Sequence, residues 1–310
     1  MPSLIIATRG SRLALAQARW VAGQLKRLAP GLAVAFAVIK TTGDKILDVP
    51  LAQVGGKGLF VKEIEDALLA GRAHLAVHSM KDVPSELPPG LVLAAVSRRE
   101  DPRDVLISRA AGDIAGLPQG AMVGTSSLRR QAQLKALRPD LTMKALRGNV
   151  DTRLKKMDEL GLAAVVLAAA GLSRLGLTDA PATPIPVETM LPAVGQGALG
   201  LETRAGDAAT RELVERLNHP DTAAAVAAER AFLARLEGGC QVPIAGHARL
   251  ENGIVKFAGL VADLEGRRVV RGQGLALPAG AADMGRAVAE EMLAGGAREI
   301  LAQVYGEEPR

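Results

Sequence analysis

A single cysteine, Cys240, stands in 310 residues, which excludes an intramolecular disulfide framework. Aromatic side chains are almost as scarce: four Phe, one Trp and one Tyr. A site that grips its ligand by stacking needs aromatic faces, so charge and hydrogen bonding are the expected grip. The four histidines, His74, His78, His219 and His247, are scattered, and no His/Cys/acid spacing reads as a metal centre. The longest apolar stretch, Leu160 to Leu172, is too short to span a bilayer. The opening Met-Pro-Ser-Leu-Ile-Ile-Ala-Thr-Arg has no basic leader and does not read as a signal peptide. The expected location is therefore the cytoplasm, away from membranes.

What is present is ordinary in amount and uneven in distribution. Hydrophobic residues make up 48% and charged residues 23%, enough apolar material for two or three domains. The formal net charge is +5. Between residues 121 and 160, nine Lys/Arg face four acids, so that segment's excess, 9 − 4 = +5, equals that of the whole chain. A concentrated positive surface predicts an anionic partner: nucleic acid, phosphate or polycarboxylate.

The first third alternates strands and helices. Leu4–Ala7 reads as a strand, Ser11–Leu28 as a helix stopped by Pro30-Gly31, Leu32–Ile39 as a strand, Phe60–Ala70 as a helix and Leu75–Val77 as a buried strand. The middle third repeats the plan loosely. Ala7-Thr8-Arg9-Gly10-Ser11 corresponds to Gly124-Thr125-Ser126-Ser127, each opening a helix. The helix–Gly–strand unit at Gly71 corresponds to that at Gly161. Two similar α/β domains facing one cleft are expected. In chain order, Arg98–Pro102 marks the first crossing between them, and prolines at 181, 184, 186 and 192 mark the second. The last third changes character: a helix over Asp221–Leu236, alternating runs over 246–250, 254–262 and 267–277, and a helix over Ala282–Tyr305 predict an α+β module.

Gly195-Gln196-Gly197-Ala198-Leu199-Gly200 is a literal GxGxxG. A dinucleotide site needs that string after a strand and opening a helix, whereas Pro192 precedes it and Leu-Glu-Thr-Arg follows. Gly55-Gly56-Lys57-Gly58 lacks the spacing of a phosphate loop. His78-Ser79-Met80-Lys81-Asp82-Val83-Pro84 follows a buried strand, where α/β sheets place ligands, so Asp82 is a candidate acid/base. Ser11 and Thr125–Ser127 open helices suited to carboxylates or phosphates, or simply cap them. Arg9, Arg129, Arg130, Arg147 and Arg153 sit at turns expected to face one cleft and to grip carboxylates bidentately. Cys240, after two glycines and before Pro243, reads as lying on an exposed loop rather than as a buried thiol. It follows a helix C-terminus, which offers no help in forming a thiolate.

Taken together, these strings resemble the porphobilinogen deaminase family. They are Ala7–Ser11 with Gln17, Val54–Glu63, His78–Pro84, Gly124–Gln131, Arg147–Val150 with Thr152–Leu154, Pro192–Ala198 and Glu237–Pro243, in order along nearly the whole chain. The resemblance implies an α/β fold of two type II periplasmic-binding-protein-like domains plus a smaller C-terminal α+β domain. The expected division is 1–98 plus about 196–217, then 102–192, then 220–310. It implies a transferase that condenses four porphobilinogen molecules deaminatively onto a dipyrromethane cofactor held by a thioether to Cys240, then releases the linear tetrapyrrole with water. Asp82 resembles the family's catalytic carboxylate. Ser11, Lys81, Thr125, Ser127, Arg129, Arg130 and Arg153 fall where the family holds the cofactor, and Arg9, Gln17, Arg147, Arg153 and Arg174 where it holds substrate. No metal is implied, and a monomer is expected. Gln53 departs from a Lys common in the family, and Ala145-Leu146 from an acidic residue.

The resemblance also explains the composition. Porphobilinogen carries acetate and propionate groups, so a growing oligomer accumulates negative charge that an arginine-rich cleft can hold without aromatics. The rival readings are a non-catalytic two-lobed binder of a small polyanion, which has no use for Cys240, and a nucleic-acid binder built on residues 121–160, which the regular β–α spacing disfavours.

Overall fold

The β–α alternation of the first two thirds becomes two five-stranded sheets in the computed structural model, which describes residues 3–45, 58–177, 181–237 and 242–305. Cys240 and the Gly55-Gly56-Lys57 segment lie outside the described residues. In the first sheet, β1 (Ser3–Arg9) runs parallel to β2 (Ala33–Ile39) and β3 (Leu75–Ser79). The remaining members are β4 (Leu91–Val96) and a late strand, β10 (Leu199–Arg204), and the order is β2-β1-β3-β10-β4. The second sheet holds β5 (Asp104–Ile107), β6 (Met122–Gly124), β7 (Thr142–Lys144), β8 (Ala164–Ala168) and β9 (Ala182–Pro184), in the order β7-β6-β8-β5-β9.

The two orders are the same plan. In each, a first strand lies between the second and the third, and a strand that follows a crossing runs antiparallel in fourth place: β10 in one sheet, β5 in the other. The helices keep the correspondence. Ser11 caps α1 (Arg12–Leu28), accepting from the Ala14 N–H at 3.2 Å. Gly71 (φ 68°) ends the turn after α2 (Lys62–Leu69) and feeds β3. In the second sheet, Ser127 caps α3 (Leu128–Leu137), and Gly161 (φ 59°) ends the turn after α4 (Val150–Glu159) and feeds β8. Both glycines occupy the left-handed region that L side chains avoid. Two further helices, α5 (Ala169–Leu175) and α6 (Ala208–Glu215), follow β8 and β10.

The crossings pack on each other. A Cβ at Gly197 would lie 2.4 Å from the Glu100 carbonyl oxygen, and one at Gly195 would lie 2.7 Å from Met80 Cγ. The GxGxxG string therefore leads into strand β10 and owes its glycines to this close approach.

The last third forms an antiparallel sheet of β11 (Ile244–Glu251), β12 (Ile254–Ala262) and β13 (Val269–Ala276). Asn252 and Gly253, both at positive φ, make the first hairpin turn. Helices α7 (Pro220–Arg235) and α8 (Ala281–Met292) cover the sheet around the fully buried Phe232, whose ring centroid lies 4.9 Å from that of Phe257. The final helix is not continuous as expected: Gly296 at φ 103° breaks it within Leu293–Ala297, and α9 (Arg298–Tyr305) resumes beyond.

Candidate active site

Strand β3 is buried from Leu75 to His78 and ends in one 3-10 turn, Met80–Asp82. Met80 and Val83 are both buried, and the Met80 N–H donates to the Ala198 carbonyl at 3.0 Å. The turn is thus pinned on both sides of Lys81 and Asp82. Asp82 is half-buried and lines a cavity of about 60 Å³ with Arg9, Ser11, Gln17, His78 and Ser79. Gln17, on the buried face of α1, donates from Nε2 to Ser79 Oγ at 2.8 Å. Arg9 stacks over Phe60, 4.2 Å from the ring centroid, and donates from Nε to both Asp44 oxygens at 3.2 and 3.3 Å. Burial works against the charged Asp44 carboxylate, but Arg9 and Thr41 outweigh it and hold its pKa below the usual range.

The opposing wall comes from the second sheet. Thr125 is buried after β6, and its Oγ1 accepts from the Ser127 N–H at 3.2 Å. Arg129 and Arg130 begin α3, and both are buried against the fully buried carboxylate of Asp104. Arg129 Nη1 lies 2.7 Å from Oδ2, and Arg130 Nη2 lies 2.8 Å from Oδ1. Burial alone would raise the Asp104 pKa, and the two guanidiniums reverse it, holding the carboxyl well below its ordinary range. Arg129 Nη1 also donates to the Leu191 carbonyl at 2.6 Å, so its charge is turned inward rather than toward the cleft.

Two cations, Lys81 and Arg153, interact with Asp82, and Arg130 and Arg147 interact with them. Burial pushes the Lys81 ammonium down to about 8, helped by Arg130 and opposed by Asp82 and Asp104. Burial likewise pushes Arg153, on α4, down to about 10; Arg130 and Arg147 add to the shift and Asp82 opposes it. Arg153 Nε donates to the Gly148 carbonyl at 2.9 Å. Arg174, on α5, reaches the crossing that leads into β10: its Nη2 lies 2.6 Å from the Gly197 carbonyl oxygen, and burial pushes it down to about 10. Arg12 on α1 reaches Asp151 on α4 at 2.7 Å, bridging the two walls.

Arg9, Ser11, Gln17 and Asp82 therefore share one cavity, and Lys81, Arg130, Arg147 and Arg153 share one electrostatic neighbourhood with Asp82. Thr125 and Ser127 form the entry to α3, Arg129 lies behind it, and Arg174 is at the crossing. Cys240 lies outside the described residues. Sequence reasoning missed Asp104 and Gln196. The signal for Asp104 was an acid heading an apolar run just after Pro102. Gln196 donates to Asp104 Oδ1 at 3.0 Å and accepts from Lys81 at 3.4 Å, linking the walls. Among the described residues no group of three His, Cys, Asp or Glu could hold a metal, and no helix is long and apolar enough to cross a membrane.

Comparison with known proteins adds an independent line. Residues 4–212 match the family model described as porphobilinogen deaminase, dipyromethane cofactor binding domain, and residues 223–294 match the porphobilinogen deaminase C-terminal domain. The chain is 56% identical over 305 residues to the porphobilinogen deaminase of Geobacter metallireducens, covering 98% of this chain and 96% of that one. It is 58% identical over 301 residues to that of Syntrophotalea carbinolica, covering 97% and 95%. Among solved structures, a probable amino-acid ABC transporter extracellular-binding protein from Bacillus subtilis aligns with a TM-score of 0.45 at 8% identity, over 70% of this chain and 91% of that one. By both its family-model matches and its relatives, the chain belongs to the porphobilinogen deaminase family.

Proposed function

We propose that this chain is a hydroxymethylbilane synthase in which Asp82 performs the acid/base and electrostatic work and the surrounding cations hold the substrate and the cofactor. The observation that carries this reading is the half-buried carboxylate of Asp82 at the end of β3, with Lys81 and Arg153 beside it and Arg130 and Arg147 close to those two. A dipyrromethane bears carboxylate side chains and pyrrole N–H groups. The cluster offers cations for the first and an anionic acceptor for the second, so the donor set fits the group. When bound, that group supplies the nucleophilic pyrrole carbon.

The residues of the chain do the rest. The Asp82 carboxylate accepts pyrrole N–H bonds and stabilises positive charge as porphobilinogen loses ammonia at its aminomethyl carbon. It then takes the proton that the attacking ring carbon gives up when the new C–C bond forms. Desolvation strengthens these interactions, and the turn anchored by Met80 and Val83 holds Asp82 in place before substrate arrives. Arg9 and Gln17 on one wall, with Arg147, Arg153 and Arg174 on the other, take the acetate and propionate groups of the substrate. Ser11, Lys81, Thr125, Ser127, Arg130 and Arg153 take those of the cofactor, with Arg129 supporting Arg130 through Asp104. Cys240 carries the thioether, on the segment after α7.

The three sheets correspond to three domains, 1–98 with about 196–217, 102–192 and 220–310. The enzyme works as a cytoplasmic monomer on a small polycarboxylate rather than on nucleic acid. Two of the nine cations in residues 121–160, Arg129 and Arg130, are buried on Asp104, which thins the basic surface that a phosphate backbone would need. The deciding experiment is the intact mass of the purified protein alongside an assay for porphobilinogen consumption. A dipyrromethane increment on the peptide containing Cys240, absent in Cys240→Ser, together with linear tetrapyrrole formation is the expected result. Turnover with no increment would overturn the tether.

A further inference from the structure

Helix α7 leads to the segment that bears Cys240: it ends at Arg235, five residues before the cysteine. One of its side chains reaches across to the first sheet. Arg230 donates from Nη2 to the Pro84 carbonyl at 2.7 Å and to the Ser85 carbonyl at 2.9 Å, and from Nη1 to the Val83 carbonyl at 3.3 Å. These are three successive carbonyls, and the first belongs to the residue immediately after Asp82. The segment after Ser85 is not part of a strand until β4 begins at Leu91, so no sheet ladder fixes it.

The contact is costly and specific. Burial lowers the Arg230 pKa, with buried Glu202 opposing the shift. Glu202 pairs instead with His78, whose Nε2 lies 2.9 Å from Glu202 Oε2, and the described hydrogen bonds of Arg230 all go to neutral carbonyls. A guanidinium desolvated onto neutral carbonyls adds little net stability, because the charge gives up water for partners no better than water. What it does add is geometry. A planar fork spanning three carbonyls fixes the direction of the chain as it leaves Asp82, which the freely rotating donors of an ammonium on a flexible stem do not do.

We propose that Arg230 is a positioning residue for Asp82, registering the helix from which the cofactor tether emerges against the turn that carries the catalytic carboxylate. The inference rests on the reading of Asp82 given above. Its chemical sense is that the nucleophile arrives from the tether and the charge-stabilising group sits on the turn, so an error in their register of about 1 Å can cost on the order of a hundredfold in rate.

The test is a double-mutant cycle on holoenzyme whose cofactor has been verified by mass. Arg230→Gln, Asp82→Asn and the double variant are compared for kcat, KM and thermal unfolding, with Arg230→Lys in parallel. Arg230→Gln is expected to lower kcat by roughly ten- to a hundredfold with little change in KM, and Arg230→Lys to recover part of the loss. In the Asp82→Asn background neither substitution should cost more, because the residue being positioned has lost its function. Losses that multiply in the double variants overturn the positioning role while leaving Asp82 in place. So does wild-type kcat in Arg230→Lys. Near-normal turnover in Asp82→Asn overturns the reading of Asp82, and this inference with it. If Arg230→Gln does not fold, the lysine variant completes the same cycle.

Discussion

The side-chain amide of Gln196 donates to the Asp104 carboxylate at 3.0 Å, joining the second crossing to the strand that follows the first. Asp104 is fully buried, and Arg129 and Arg130 supply its compensating charge. Removing the carboxylate leaves two buried guanidiniums unpaired. We predict that Asp104→Asn destabilises the protein by about 3–5 kcal/mol, read as a lowered urea midpoint at unchanged m-value. The Asp104 pKa is depressed in the folded state, so its contribution is present above the unfolded value, near 3.9, and is lost as pH falls through the lower folded value. The gap between wild type and variant should therefore be full at neutral pH and narrow only below about pH 4. A gap independent of acidification would count against this pairing.

Lys81 gives a different pH dependence. Burial and Arg130 hold its ammonium at about 8 in the ligand-free protein. Below that pH the group is cationic and helps to bind carboxylates; above it the charge is lost. Turnover is expected to fall as pH passes through about 8, as the cofactor's carboxylates lose a cationic partner, and to fall less in the Lys81→Arg variant, which keeps its charge. Parallel pH profiles for the two proteins would exclude Lys81 as the titrating group.

Asp82→Asn preserves shape and one hydrogen-bonding oxygen while removing the charge. The fold and the attached cofactor should survive, and kcat should fall by roughly two to three orders of magnitude. Turnover near that of the wild type would show that the charge of Asp82 is not used.

Glu65 on α2 is buried, with Oε1 lacking a hydrogen-bond partner. Burial first, and the nearby Glu202 second, push its pKa up to about 7. The folded state therefore holds a proton that the unfolded chain releases near 4.3, and stability falls as pH rises between the two values. Glu65→Gln should match wild type near pH 4 and exceed it above pH 7 by on the order of 1–3 kcal/mol. Equal unfolding midpoints at pH 8 would refute this.

Elements with their own periodicity or turn chemistry are legible in the sequence. The alternating run 254–262 is β12 residue for residue, the helix expected over Asp221–Leu236 is α7 displaced by a single residue, and Asn252-Gly253 marks a hairpin. The strands β4, β5, β9 and β10 leave no such mark. They are short, and their ladders depend on remote partners: β10 pairs with β3, more than a hundred residues earlier. The motif strings bring Asp82 and the arginines forward as candidates, but residue type cannot say which way a guanidinium points. Arg129 and Arg130 are adjacent in sequence, and their shared partner, Asp104, lies outside the basic segment, so only the packing of α3 against β5 shows that both charges are spent on it. The break in the last helix has a visible cause in Gly295-Gly296, which the apolar periodicity on either side conceals.

The fourth place of β10 in the first sheet has a consequence for synthesis. Among the described residues β4 pairs only with β10, so the first sheet cannot close until residue 204 has left the ribosome, 204 − 96 = 108 residues after β4 is complete. At roughly 5–20 residues per second, that is a wait of about 5–20 seconds. The second sheet takes all five of its strands from residues 104–184 and needs no such wait. The half of the molecule that begins the chain is thus the later of the two to be finished, and its nascent form presents an unpaired β4 edge to the chaperones that meet it.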